Sequence, residues 1–379
     1  MLGSSYKIGL LYYLTLYSVG LRQLGHDVIV ISSQGEQTPG LLRGLKEKSI
    51  KYCESVYIDK RNIFSIYKAA REIVSVVKSE NIDVIHVNGF SHLIKSYFAL
   101  RFINISKKIP VVFMVHTIRH GSKYEKWVCL IGSWLMNKCI DLAMPVSEWE
   151  RSRLIKSGLR PDKAFTIHNA VDFEKFDWQM SEQSDARIPG INPEIFSHET
   201  VASLAQLIPR KGINYLLQAV PKVLKVFPNT KFLILGDGPL KSKLENKSKR
   251  MGIANNVYFA GMLENKYIPK ILSKIDVALV TSFSETFGFA IVEPMAAGKP
   301  VITTPVGIAP EIIKDGENGF IVPPKDSNAL AEAILFLLRN KEKAKEMGIK
   351  ARGAVEKRFG LDIIARKLEE AYNLALQGK

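Results

Sequence analysis

Two kinds of apolar spacing alternate along the chain. Short runs rich in β-branched residues fall at 28–32, 83–87, 111–115, 142–145, 164–167, 231–235, 277–280 and 301–303. Between them lie stretches whose apolar positions recur three and four apart, as at 64–78, 213–226 and 328–338. The first spacing predicts strands and the second amphipathic helices. Strands that are apolar throughout are covered on both faces, so the alternation predicts a parallel α/β architecture. One stretch has neither period: 181–200, SEQSDARIPGINPEIFSHET, is polar and broken by Pro189, Gly190 and Pro193. It predicts an N-terminal domain over 1–176, an interdomain segment over 177–199 and a C-terminal domain over 200–360. Residues 361–379 are expected to form a helix packing back on the N-terminal domain. Doubly wound sheets hold ligands at the carboxyl ends of their strands, so two such domains facing each other predict a cleft.

The start of the chain is unusual. Residues 8–21, IGLLYYLTLYSVGL, are uncharged between Lys7 and Arg22. That is short of the roughly 20 residues a membrane span needs, and no small-residue cleavage site follows, so a buried helix is expected rather than a leader. Only seven residues precede it, too few for the strand that should feed a first helix, and the start reads as truncated or misassigned.

Composition narrows the class. A chain of 379 residues, 46% hydrophobic, suits two folded domains. Three cysteines at 53, 129 and 139 make neither a disulfide framework nor a zinc knuckle, which points to a reducing, cytoplasmic compartment. The net charge of +16 is uneven: residues 1–172 carry 24 Lys and Arg against 14 Asp and Glu. Such an excess attracts nucleic acid, anionic lipid or phosphorylated small molecules. No zinc-finger spacing or interleaving of basic and aromatic residues supports nucleic acid, which is not expected as a partner.

The most informative segment is 281–303, TSFSETFGFAIVEPMAAGKPVIT. It follows an apolar run, so 282–288 is expected to be a loop at a strand's carboxyl end, followed by a helix from Phe289 to about Ala297. Gly298 stops that helix, and Pro294 belongs in an early turn or at a kink. The amides of Gly288, Phe289 and Ala290 would begin the helix without acceptors inside it, a ready anion site. Glu285 and Glu293 flank this terminus. Taken singly, Glu285 reads better as a loop carboxylate or a helix cap, and Glu293 as a solvated helix residue.

Together these residues resemble the E-x7-E motif of the retaining family 4 glycosyltransferases, which have the GT-B fold of two Rossmann-like doubly wound domains facing across a cleft. Further motifs follow in the family's order: PRKGINYLLQA at 209–219, FLILGDGP at 232–239, VYFAGM at 257–262 and GIAPEIIKDGENGFIVP at 307–323. The resemblance implies a nucleotide-sugar site in the C-terminal domain, with Lys211 and neighbouring Arg210 on the diphosphate. It implies Glu285 on the sugar, Glu293 on the ribose, and the amides of Gly288, Phe289 and Ala290 on the distal phosphate. Cations at a helix start oppose its dipole by roughly 0.3–1 kcal/mol each, which favours an outside anion as their reason. One departure stands out: where the family has Gly-Arg five residues before the lysine, this chain has Ala205 and Gln206, so one cation is lost from the leaving-group side.

The N-terminal half resembles the family's acceptor side more loosely, through GHDVIVI at 25–31, DVIHVNG at 83–89, VVFMVHT at 111–117 and IHNAVD at 167–172. His116 ends a strand and matches a family histidine near the transferred sugar; as a residue by itself it reads equally as a core histidine. His86 and His26 read as structural. The family's glycine loop is represented only by Gly3, Ser4 and Ser5.

What the resemblance implies is transfer of a hexose or N-acetylhexosamine from a nucleotide diphosphate sugar to an acceptor hydroxyl, with retention. The acceptor class is a glycan or a lipid-linked glycan. No Asp-x-Asp occurs, so no metal is expected; the resemblance implies the nucleotide sugar as substrate and no cofactor. Lys107, Lys108, Arg151, Arg153 and Lys156 suit either ordinary surface charge or peripheral docking on the anionic inner face of a membrane. The competing expectation is a catalytically weakened relative that holds a nucleotide or a partner.

Overall fold

The computed structural model describes residues 4–32, 45–55, 57–58, 62–88, 90–102, 109–116, 125–177 and 187–378. Gly3, Lys107, Lys108 and residues 181–186 of the polar stretch lie outside them. The chain divides into two compact units, one running to Ala170 and resuming at Leu361, the other Val171–Gly360.

The second unit is built on one parallel sheet. Its strands are β6 (Thr200–Leu204), β7 (Lys231–Leu235), β8 (Val257–Gly261), β9 (Val277–Val280), β10 (Val301–Thr303) and β11 (Phe320–Ile321), in the order β11-β10-β9-β6-β7-β8. Helices α6 (Ile213–Leu224) and α11 (Ser327–Arg339) bury Leu216, Leu217, Val220, Leu330 and Ile334 against Val201, Phe232, Val277 and Leu279. Ala278, Val280 and Val301, which alternate with those positions, are buried as well. Both faces are therefore covered, which is why these strands read as unbroken apolar runs. The order places β6 between β7 and β9, so the chain leaves β6 in one direction through β7 and β8 and returns to its other side with β9. That reversal is the topological switch point, where loops at the strands' carboxyl ends part to leave a crevice.

The first unit carries two smaller parallel sheets. β1 (Ile29–Ser32) pairs with β2 (Lys51–Glu54), and β3 (Ile85–Asn88), β4 (Val111–Val115) and β5 (Leu142–Pro145) pair in that order. Around them lie α1 (Ser4–Gln23), α2 (Ile63–Ser79), α3 (Phe90–Phe102), α4 (Glu125–Cys139), α5 (Glu148–Lys156) and α13 (Leu361–Gln377). The uncharged N-terminal stretch is helical, with Leu16, Tyr17 and Leu21 buried. Gly20 permits its close approach to α13: a Cβ there would fall 2.8 Å from that of Ala365.

Several expectations need correction. Residues 171–176 belong to the second unit, because Val171 N–H donates to Phe359 O at 2.8 Å and the turn Phe173–Phe176 packs on α9 (Phe289–Ala296). Residues 164–167 form no regular strand; they extend beside β5 through Phe165 and Ile167 N–H donated to Ala143 and Pro145. Ser4 and Ser5 are the first turn of α1 rather than a loop. No helix among the described residues is long and apolar enough to cross a membrane.

Candidate active site

The chemistry expected of the C-terminal half gathers where the loops after β6 and β9 meet. After β6 the chain makes one 3-10 turn, Pro209–Lys211, ended by Gly212 at φ 67°. This turn lies directly on the loop after β9. Phe283 N–H donates to Arg210 O at 2.8 Å and Thr281 Oγ1 donates to Lys211 O at 2.9 Å. A Cβ on Gly212 would stand 2.0 Å from Thr281 O, so only glycine fits, for space as well as for φ. These links bring residues 74 apart in sequence into one cluster.

Within it, Lys211 Nζ donates to Glu285 Oε1 at 2.5 Å, and Ser282 Oγ donates to the same oxygen at 2.6 Å. Arg210 reaches to 3.8 Å of the other carboxylate oxygen and donates to Ser284 O at 3.0 Å. The Glu285 carboxylate is buried at 9% exposure and Lys211 nearly so at 13%, whereas Arg210 is 39% exposed. The cluster holds two cations against one carboxylate, a local excess of positive charge facing outward through Arg210.

The helix start lies beside this cluster. Gly288 is the N-cap of α9 at φ 103°, and a Cβ there would stand 3.8 Å from that of Glu285. Ile291 and Val292 N–H both donate to Gly288 O, at 2.9 and 3.2 Å. The amides of Gly288, Phe289 and Ala290 precede any acceptor within the helix and carry the positive end of its dipole. Pro294 sits in the interior of α9, beyond the early turn. It offers no N–H to the Ala290 carbonyl one turn back. The helix ends at Ala296, with Gly298 at φ 69°.

Glu293 is half-buried rather than solvated. Burial pushes its carboxyl up to about 7, against the pull of nearby Lys175 in the opposite direction. A carboxyl held near neutrality can donate or accept a hydrogen bond, whereas Glu285 is fixed as the acceptor of an ion pair.

Three further residues complete the site and were not singled out from the sequence. Ser282 orients Glu285, and Thr304 Oγ1 donates to Ser282 O and so fixes that serine from β10's side. Ser284 Oγ is buried without a hydrogen-bond partner among the described residues. Their only mark in the sequence is the density of small hydroxyl residues around Glu285. Behind them the loops pack main chain on main chain. A Cβ on Gly236 would fall 2.1 Å from Ala205 O, and one on Gly307 2.2 Å from Phe287 O. Gln206 is half-buried, with its carbonyl accepting from Ile208 N–H.

His116 belongs to the first unit. Its Nε2 donates to Asn88 Oδ1 at 3.0 Å, and burial pulls its pKa down to about 4, so the ring is neutral near pH 7. His86 shares a 2.7 Å hydrogen bond with the Tyr372 hydroxyl, and burial with neighbouring His116 lowers it to about 3. His26 joins Glu369 of α13 at 2.8 Å. Two of the cations considered for membrane docking are engaged locally. Arg153 pairs with buried Glu150 at 2.6 Å, and Arg151 donates to Ala164 O at 3.2 Å. Lys156 is exposed.

Known proteins agree with this architecture. Residues 191–354 match the family model described as glycosyl transferases group 1, and residues 9–175 the model described as glycosyltransferase family 4. An uncharacterized glycosyltransferase of Methanocaldococcus jannaschii is 34% identical over 69% of this chain and 74% of its own length. The N-acetyl-alpha-D-glucosaminyl L-malate synthase of Bacillus anthracis is 24% identical over 97% of this chain and 96% of its own. The crystal structure of Anabaena HepE in complex with UDP superposes with a TM-score of 0.76, at 21% identity over 96% of each chain. Two Rossmann-like units, ordered motifs and near full-length relatives thus converge: the chain belongs to the family 4, group 1 glycosyltransferases and has the GT-B fold.

Proposed function

We propose that the protein transfers a hexose or N-acetylhexosamine from a nucleotide diphosphate sugar to a hydroxyl of a glycan or lipid-linked acceptor, with retention and without a metal. The observation that carries this reading is the Lys211–Glu285–Arg210 cluster beside the start of α9 at the switch point of the sheet. A departing diphosphate gathers negative charge as the sugar gains oxocarbenium character. Donors already fixed in place stabilise that charge most effectively. Lys211 exchanges Glu285 for a phosphate oxygen, Arg210 supports it, and the amides of Gly288, Phe289 and Ala290 take the distal phosphate. Glu285, still held by Ser282, receives a sugar hydroxyl, and Glu293 the ribose. His116 enters only through the family pattern, as a neutral imidazole able to hydrogen-bond a sugar hydroxyl.

Two of the similar proteins bear on the choice of donor. Crystal structures of HepE hold UDP and UDP-glucose, and the Bacillus relative is named for an N-acetylglucosaminyl product. These support a uridine nucleotide carrying a glucose-type sugar. The three scattered cysteines support work in a reducing cytoplasm, and the basic excess of residues 1–172 supports peripheral contact at an anionic membrane face. A second reading, binding without turnover, is favoured by Gln206 in place of a cation; donor hydrolysis by the purified protein separates the two.

A thermal-shift panel of uridine and guanosine diphosphate sugars tests the site. A preferred donor at a hundredfold over its dissociation constant adds about 2.7 kcal/mol of stability. Lys211→Ala and Glu293→Ala should each remove most of that shift. Full retention by both variants overturns the assignment, and turnover that collapses in chelator and returns only with magnesium or manganese overturns the metal-free mechanism.

A further inference from the structure

Helix α2 is apolar on two sides. Ala69, Ala70, Ile73, Val74 and Val77 form its buried face and share one core cluster with Ile58, Ala99 and Ile109. One such face is enough to seat an amphipathic helix. On the outer side its first turns leave Ile63 86% exposed, Phe64 61% and Tyr67 58%. The same outer stripe continues through Arg71 and Lys78, both exposed. Helix α4 repeats the arrangement. Met136 is buried in the core with Ile140 just beyond the helix, whereas Ile131 and Trp134 are 56% and 55% exposed, in line with exposed Lys138.

The two stripes lie on one side of the first unit. Its larger sheet runs β3, β4, β5 in order, so the right-handed crossovers through α3 and α4 step the same way and cover the same face. α3 packs against both α2 and α4, and its Phe98 is 37% exposed. Of the ten large apolar side chains exposed among the described residues, these six stand together and the other four lie singly on separate elements. Clustering of this kind marks an interaction surface, whereas scattered residues do not. Charge adds to it. α2, α3 and α4 carry three, two and two Lys or Arg, against one, none and one Glu. Glu72, the acid of α2, is turned to the Ser55 hydroxyl. Two of the exposed rings hold a cation: Lys68 Nζ lies 4.4 Å from the centre of the Phe64 ring and Lys138 Nζ 4.3 Å from that of Trp134.

We propose that the outer sides of α2, α3 and α4 are the surface by which the protein lies on an anionic lipid bilayer. Phe64, Tyr67 and Trp134 enter at the level of the headgroups, where aromatic rings are favoured, and Lys68, Arg71 and Lys138 extend to the phosphates. Interfaces between proteins deplete lysine, whereas an anionic membrane attracts it, so the pairing of lysine with exposed rings selects lipid as the occupant. The assignment rests on the peripheral membrane contact proposed above and gives it a location. That location differs from Arg151 and Arg153, which are engaged within the unit.

The test sediments the full chain with vesicles of equimolar phosphatidylglycerol and phosphatidylcholine, and with vesicles of phosphatidylcholine alone. The unaltered protein should bind the anionic vesicles, more weakly as salt is added, and prefer them to the neutral ones. Phe64→Ser with Tyr67→Ser, and separately Ile131→Ser with Trp134→Ser, should each weaken binding by roughly tenfold or more, the worth of two such side chains partly buried. Arg71→Gln with Lys78→Gln should weaken it by about fivefold per charge at low salt. Lys243→Gln with Lys249→Gln makes an equal charge change at exposed positions of the helix Lys241–Arg250 in the second unit, and should leave binding unchanged. Failure of the unaltered protein to bind anionic vesicles overturns both the membrane contact and this surface. Binding that survives the substitutions in α2 and α4, or that falls as far with Lys243 and Lys249, leaves the membrane contact standing and overturns the surface. So does a dimer, seen by sedimentation velocity, that the apolar substitutions dissolve while vesicle binding persists, since a second copy is then the occupant.

Discussion

Replacing Glu293 by glutamine separates the stability of the second unit from its proposed function. The carboxyl of Glu293 is raised from an ordinary value of 4.5 to about 7, chiefly because burial disfavours its charged form. A raised carboxyl pKa means that the folded state binds more protons than the unfolded state between pH 4.5 and 7. Its contribution is therefore fully present below pH 4.5 and is lost as pH rises through 7. At about 1.36 kcal/mol per pH unit, ionised Glu293 costs up to about 3 kcal/mol above pH 7. Glutamine keeps the shape and cannot ionise. Glu293→Gln should stabilise the second unit by up to about 3 kcal/mol at pH 8, shrinking to a few tenths at pH 4.5. Calorimetric unfolding at the two pH values measures the difference, and the same variant should lose affinity for the nucleotide sugar. A gain equal at both pH values, or no gain at pH 8, would refute the assignment of burial as the cause.

Other substitutions probe the remaining contacts. Lys211→Ala strands a buried carboxylate with Ser282 and a distant Arg210, and should cost roughly 3 kcal/mol in urea unfolding, the low end for a broken buried pair. Adding Glu285→Gln should return most of that stability without returning donor binding. Gly212→Ala forces a Cβ against Thr281 O at a positive φ and should cost about 2–3 kcal/mol, with loss of the donor-induced thermal shift. In the first unit, His86 and His116 have pKa values lowered to about 3 and about 4, so the folded state binds fewer protons than the unfolded state below pH 6.5. Its stability should fall as pH drops, by about 2 kcal/mol per histidine by pH 5, followed through the fluorescence of Trp134 and Trp149.

Most of the second unit was legible because its strands are buried on both faces. β7, β9 and β10 appear in the sequence with their observed limits, as apolar runs punctuated by glycine. β6 was hidden, since Thr200 closes a polar stretch and its pattern begins only there. β2, KYCE, has exposed ends and too few apolar residues to register as a strand. Residues 164–167 misled in the opposite way: the run is β-branched, but it meets β5 through a single bridge. The candidate residues could be named one by one, yet their pairing could not. Lys211 and Glu285 meet only because β6 and β9 are neighbours, and strand order is not written in local spacing. Glu293 illustrates a different limit, because half-burial of a helix residue depends on partners from elsewhere in the chain.

The close backbone packing at Gly212, Gly236 and Gly307 has a consequence for evolving the site. The platform under the charged cluster is peptide framework rather than side chain, so its amide dipoles survive any exchange of residues around it. A saturation library should show near-total intolerance at these three positions, with tolerant neighbours on either side. Changes of substrate preference can then be sought from residues that overhang the platform, while the machinery beneath is inherited intact.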